Sequence, residues 1–154
     1  MSRAFVKEPD GQDVFDDLPD RPLSPHPNLV TAAGLAAIEA EVARLQAEIP
    51  LAGDDREARA RLGRDLRYWQ HRLSSAELMH AAPDADVVHF GSTVTILRED
   101  DTRRTYAIVG EDEADPPKGK ISYVSPLARA LLGKPVGEVV AAGQGEAEIV
   151  AIEG

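Results

Sequence analysis

The 154-residue sequence contains no cysteine, so neither a disulfide framework nor a thiolate metal site can be built from it. No apolar run approaches the ~18 residues that a membrane-spanning helix requires. Met1-Ser2-Arg3 leads into polar sequence, unlike a signal peptide. A cytoplasmic protein with no membrane partner is the expectation. Cations are in deficit, with 17 Lys and Arg against 27 Asp and Glu, a net charge of -10. Broad nucleic-acid binding draws on a cationic surplus to displace counterions from phosphates, so direct sequence-specific DNA binding is not expected. Any approach to RNA would need a local basic patch or a carrier protein. Histidines are few, and His26, His71, His80 and His89 lie scattered with no partner at metal-ligand spacing, so no stably bound metal is expected. No Gly-rich phosphate loop follows a strand, Gly143-Gln144-Gly145 reads as a turn, and no nucleophile–base pair is evident.

The length fits one compact domain with an appendage. Residues 1–29 read as a disordered tail. Pro9, Pro19, Pro22, Pro25 and Pro27 alternate there with Glu8, Asp10, Asp13, Asp16, Asp17 and Asp20, leaving little to bury against the entropy of ordering. The competing reading is a docking peptide anchored by Phe5, Val14 and Phe15. From 30 to 82 the pattern is that of an antiparallel helical hairpin, a coiled coil. Thr31 can cap a first helix whose seam is Leu35, Ile38, Val42, Leu45 and Ile49, and Pro50 and Gly53 stop it. A second helix opens near Asp54 or Asp55, with the seam Leu62, Leu66, Trp69, Leu73 and Ala76.

Pro83, Asp84 and Asp86 mark a linker into a domain from 83 to 154. Strand-like spacing of β-branched residues occurs at Val87–Phe90, Thr93–Arg98, Arg103–Gly110 and Glu146–Ile152, with shorter candidates at Gly119–Tyr123 and Val136–Ala142. Ser125 can cap a short helix with Pro126 at its first position and Gly133 just past its end. The fold class is therefore α+β, a helical hairpin followed by an antiparallel sheet with one short helix.

Several separated motifs resemble one family. Phe90-Gly91-Ser92-Thr93-Val94-Thr95 matches an F-G-x-x-V-x-(V/I) strand, Gly110-Glu111-Asp112-Glu113-Ala114-Asp115 matches a G-x-x-E-A-D loop, and Ile121-Ser122-Tyr123-Val124-Ser125-Pro126-Leu127-Ala128-Arg129-Ala130-Leu131-Leu132-Gly133-Lys134 is followed by Val136-Gly137-Glu138. In this order they resemble the C-terminal domain of the GreA/GreB transcription elongation factors, the bacterial transcript-cleavage proteins. Val30-Thr31-Ala32-Ala33-Gly34 and Arg72-Leu73-Ser74-Ser75-Ala76 are similar to the two ends of that family's hairpin, and Gly53-Asp54-Asp55-Arg56-Glu57 keeps G-D-x-x-E at its turn.

The resemblance implies an FKBP-like fold for the C-terminal domain and RNA polymerase as partner. It also implies a non-enzymatic, monomeric accessory role, in which the hairpin enters the secondary channel and elongation is modulated. Asp54 and Glu57 would then be the tip acids that help hold Mg²⁺ within the polymerase active site, stimulating cleavage of backtracked RNA with no cofactor of the chain's own. Such acids also occur in a helix first turn simply to complement the dipole. Ser122, Tyr123, Val124, Ser125 and Pro126 would form the polymerase-binding loop, or serve only as a helix cap.

Arg61, Arg64 and Arg72, with Tyr68, share a stripe that would contact RNA in such factors; the bland reading pairs these arginines with Glu39, Glu41 and Glu48 of the first helix. Against the family the two arms are about eleven and about nine residues short, each losing on the order of 15 Å. Ala58 and Asp55 also stand where the family has Asn and Leu. That shortening frames an alternative: a non-cleaving regulator that competes with full-length factors, similar in layout to the regulator of nucleoside diphosphate kinase. A prolyl isomerase built around Phe90, Tyr106 and Tyr123, and a generic interaction hairpin with an unrelated partner, are the remaining rivals.

Overall fold

Heptad-spaced apolar residues become two helices of equal length. The structure, a computed structural model, describes residues 18–80, 82 and 86–154. The docking-peptide anchors Phe5, Val14 and Phe15 and the linker residues Pro83 and Asp84 lie outside the described residues. After a two-residue strand, β1 (Leu29–Val30), comes α1 (Ala32–Leu51), then α2 (Arg56–Ser75) and a second short strand, β2 (Glu77–Leu78). Thr31 caps α1 as its sequence position predicts, its Oγ1 accepting from the Gly34 amide at 2.9 Å. The α1 seam is as read: Ile38, Val42 and Leu45 are buried, and Leu35 and Ile49 are half-buried. The helix runs one residue past Pro50 and leaves Leu51 83% exposed.

In α2 the expected seam residues Leu62, Leu66, Trp69 and Leu73 are half-buried, while the side chains most enclosed are Ala60 and Arg72. The ring of Tyr68 meets that of Trp69 edge-on at 5.0 Å. Glu41 and Glu48 do not supply the interhelical pairing weighed above. Both bind Arg44 of their own helix, Glu48 at 2.8 Å, as residues three and four apart on a helix can.

The C-terminal sheet has five strands in the order β5-β4-β3-β7-β6. These are β3 (Thr93–Arg98), β4 (Arg103–Val109), β5 (Lys120–Ser122), β6 (Val139–Ala142) and β7 (Gly145–Glu153), with the helix α3 (Pro126–Leu131) between β5 and β6. Four strands pair antiparallel as expected, but β5 joins β4 in parallel, so the sheet is mixed. A ten-residue connection holding a 3-10 turn at Pro116–Lys118 gives the chain room to reverse before β5.

The expected strand Val87–Phe90 is a correction. Val87 makes a single bridge to Pro135 and Val88 bonds the Gly133–Lys134 backbone, after which His89 and Ser92 close a turn. Alternation on β3, β6 and β7 turns Val94, Ile96, Val140, Ala142, Ala147 and Ile149 onto one face, where they meet Ala128 and Leu131 of α3. Ile96, Ile108, Leu131 and Ile149 are wholly enclosed, each burial contributing on the order of 2 kcal/mol.

The chain divides into two compact units. One comprises Ile38–Ser75 with the described residues through Pro25; the other comprises His26–Ala37 with the chain from Ala76 onward. The division is therefore not a single cut at residue 83, because β1 pairs in parallel with β2 and brings the start of α1 with it. The tail reading is likewise corrected for its described part: residues 18–21 bond to α2, Asn28 is buried, and Leu29 sits in a strand.

Candidate functional site

Three groups of residues carry the functional expectations. The first is the loop Ser122–Pro126, which follows β5. Tyr123 is fixed at both ends: its amide donates to the Val109 carbonyl at 2.9 Å, and its hydroxyl donates to the Pro27 carbonyl. Its ring packs edge-on against Phe90 at 5.6 Å. The Ser125 amide closes a turn onto the Ser122 carbonyl at 2.9 Å, and the Ser125 Oγ accepts from the Ala128 amide at 3.4 Å, capping α3 with Pro126 at its first turn. Val124 remains half-buried and Pro126 exposed. The cap is therefore real, and it leaves a loop fixed by internal hydrogen bonds, with few conformations to lose on docking.

The neighbouring loop Gly110–Asp115 gives the sheet unit its hold on the start of α1. Glu113 Oε1 accepts from Thr31 Oγ1 at 2.6 Å, and a Cβ on Gly34 would lie 2.6 Å from that same oxygen. A Cβ on Gly110 would lie 2.3 Å from the Leu29 carbonyl oxygen. The α1 helix has no acid in its own first turn. Glu113 brings a carboxylate to that helix end from 82 residues away, where it complements the dipole. In the sequence, T-x-x-G and G-x-x-E-A-D stand as separate motifs, and no local signal shows that each is built for the other.

At the hairpin turn, Gly53 takes a left-handed φ of 58°, and the Asp55 amide bonds the Ala52 carbonyl at 3.0 Å. Asp55 is the N-cap of α2, its Oδ1 accepting from the Ala58 amide at 3.1 Å. Of the two expected starts of α2, Asp54 and Asp55, the cap is therefore Asp55. Asp54 precedes the cap and Glu57 lies in the first turn, so the two do not share one helical turn. Both are exposed. Among the described residues no group of three or more His, Asp or Glu side chains is placed to hold a metal ion. Two open carboxylates can complete an Mg²⁺ shell only where phosphate, water or another protein supplies the rest.

The arginine stripe is not continuous. Arg61 is exposed, and Arg64 is half-buried with its Nε 3.3 Å from Asp65 Oδ1. Arg72 is 3% exposed and engaged within the chain, which corrects its assignment as an RNA-contacting residue. A buried guanidinium is retained by internal partners and offers no open surface to a phosphate. Arg72 lies three residues beyond Trp69 and next to Leu73, so it flanks the seam instead of facing water. Phe90, Tyr106 and Tyr123, the aromatics weighed for an isomerase pocket, all pack against the hydrophobic core.

The family described as "Transcription elongation factor, GreA/GreB, C-term" matches residues 82–153. The chain is 47% identical over 90 residues to transcription elongation factor GreA of Nitrobacter hamburgensis, a match covering 54% of this chain and 57% of that protein. It thus spans little more than half of that relative's length. Against the GreA of Sphingopyxis alaskensis the identity is 37% over 129 residues, covering 71% of this chain and 82% of the relative. Among solved structures, the GreA factor homolog 1 of Thermus thermophilus overlaps 84% of this chain and all of its own at a TM-score of 0.41 and 23% identity. The GreA/GreB factor of Nitrosomonas europaea overlaps 80% and 97% at a TM-score of 0.39 and 22% identity.

Proposed function

Because the chain belongs to the GreA/GreB family of transcription elongation factors, we propose that it binds RNA polymerase at the secondary channel and modulates elongation by occupying it. The observation that carries this reading is the Ser122–Pro126 loop, held at Tyr123 by two hydrogen bonds and a ring contact and at Ser125 by a helix cap. A loop so fixed presents one shape to a partner, and Val124 and Pro126 give it an apolar surface. The chain acts as an accessory factor without cofactor chemistry of its own; Mg²⁺ belongs to the polymerase active site, and the polymerase performs any bond cleavage.

Cleavage stimulation is a second reading, favoured by the solvent exposure of both Asp54 and Glu57 beside the hairpin turn. In that role their carboxylates would hold an Mg²⁺ ion and orient its water towards backtracked RNA. Reach opposes it. Each arm has 20 residues, about 30 Å of helix, and direct coordination demands an approach near ~2.1 Å.

The test is a purified backtracked elongation complex given the wild-type chain or Asp54→Ala/Glu57→Ala. Binding to polymerase and competition with a full-length GreA, both unchanged in the double variant and with no cleavage by either, are the expected results. Cleavage by the wild type alone would establish the second reading. Absence of any polymerase binding would sink both.

A further inference from the structure

The segment just ahead of Pro25 lies against α2, and two of its contacts, Asp20 with Leu18 on Arg67 and Arg21 on Tyr68, resemble those that a single-stranded nucleic acid would make. Asp20 Oδ1 receives the Arg67 Nε at 2.6 Å, while the Leu18 carbonyl receives a terminal nitrogen of the same guanidinium at 3.0 Å. Two nitrogens of one fork directed at two oxygens is the geometry in which Arg grips a phosphate. Beside it the Arg21 guanidinium carbon stands 3.9 Å from the centroid of the Tyr68 ring, and Arg21 also reaches Asp65 Oδ1 at 3.4 Å. A flat cation on an aromatic face occupies the place where a base stacks in single-strand binding proteins. Leu23 and His71 complete the walls of the cleft between segment and helix.

We propose that residues 18–23 form a strap that mimics a nucleotide in cis. Asp20 takes the place of a phosphate on Arg67, and Arg21 takes the place of a base on Tyr68. The occupant that the face would accept on release is a single-stranded RNA segment, its phosphate on Arg67 and its base on Tyr68. The strap is displaceable because its ion pairs are open to water, with the Asp20 side chain 74% exposed and that of Arg67 46% exposed, and exposed pairs are weak. In a chain of net charge -10, an arginine already neutralised by its own carboxylate attracts no polyanion, so the strap also sets specificity. The strap geometry alone carries this role, whether or not the chain binds polymerase.

Arg21→Ala separates strap release from simple charge. Removing a cation makes the chain more negative, so bulk electrostatics predicts weaker RNA binding, whereas release of the strap predicts tighter binding. Fluorescence anisotropy with a short labelled oligouridine is expected to show Arg21→Ala binding about 3- to 10-fold more tightly than the wild type, the range set by the weak exposed contacts it breaks. The slope of log affinity against log salt should steepen by about 0.7, the value for one further phosphate engaged on a single strand. Arg21→Ala/Arg67→Ala should lose the gain, and Asp20→Ala should repeat it while melting at the wild-type temperature. Equal or weaker binding by Arg21→Ala, including no binding by either protein, overturns the proposal. So does a gain that survives the loss of Arg67.

Discussion

Replacing Gly110 with alanine tests whether the G-x-x-E-A-D loop is a packing device. The added Cβ would stand 2.3 Å from the Leu29 carbonyl oxygen, about 1 Å inside ordinary contact, and the obstacle is backbone, not a flexible side chain. Gly110 cannot easily retreat, since its carbonyl accepts from the Glu113 amide and it follows directly on β4. Leu29 is anchored as well: the Asn28 and Val30 carbonyls on either side of it accept from the Glu77 and Met79 amides at 2.8 and 2.9 Å. Overpacking of this kind costs about 1–3 kcal/mol, and loosening those two bonds adds roughly 1 kcal/mol. The total, about 2–4 kcal/mol, lowers the melting temperature by about 6–12 °C at roughly 3 °C per kcal/mol for a chain near this size. Thermal unfolding followed by circular dichroism reads it. Gly145→Ala, where a Cβ meets nothing within 4 Å, is the control and should melt within about 2 °C of the wild type. A Gly110→Ala protein that melts with the control while losing polymerase binding would refute the packing argument and make the loop a contact surface.

Thr31→Ala removes the α1 cap and the partner of Glu113 together, and should cost about 1–2 kcal/mol in urea denaturation. Asp101 holds a left-handed φ of 63° in the turn between β3 and β4, so Asp101→Gly should gain about 0.5–1 kcal/mol in the same assay. Gly63 sits within α2, and a methyl there would stand 3.8 Å from its nearest neighbour, so Gly63→Ala should stabilise by about 0.5–1 kcal/mol. The Arg44 hydrogen bond holds the Glu41 carboxyl below its ordinary value of 4.5. A depressed carboxylate stabilises above its unfolded pKa and loses that contribution as pH falls through the folded one. Arg44→Ala should therefore be less stable than the wild type at neutral pH, and the gap between their urea midpoints should narrow as pH falls and Glu41 is protonated.

What was legible in the sequence was local. The α1 seam Leu35, Ile38, Val42, Leu45 and Ile49 repeats a period that burial alone imposes, and the start and stop residues of α3 are set by cap chemistry within a few positions. The strands β3, β4 and β7 announce themselves by β-branched alternation. What failed depended on distant partners. Val87–Phe90 has strand composition, yet Val88 finds its bonds on the Gly133–Lys134 loop and the chain then turns. The parallel sense of β5 follows from how the Pro116–Lys118 connection folds back, which no pattern within β5 encodes. Arg72 reads as a surface cation because spacing places it on the flank of the seam; only the packed structure shows it buried. The Asp20–Arg67 pair joins residues 47 apart, beyond any periodic signal.

The same distinction governs the site. The tip acids are legible as a motif, but a motif fixes residue type and not distance, and Mg²⁺ chemistry is decided by distance. Here α1 and α2 each hold 20 residues, joined by the turn Ala52–Asp55. On the channel-binding proposal, an arm of about 30 Å suits a probe that occupies space, since occupancy tolerates several ångströms and coordination does not. That asymmetry is why, on the proposed reading, Asp54→Ala/Glu57→Ala should leave competition with a full-length factor intact: blocking would depend on the volume of the hairpin and not on the charge at its end.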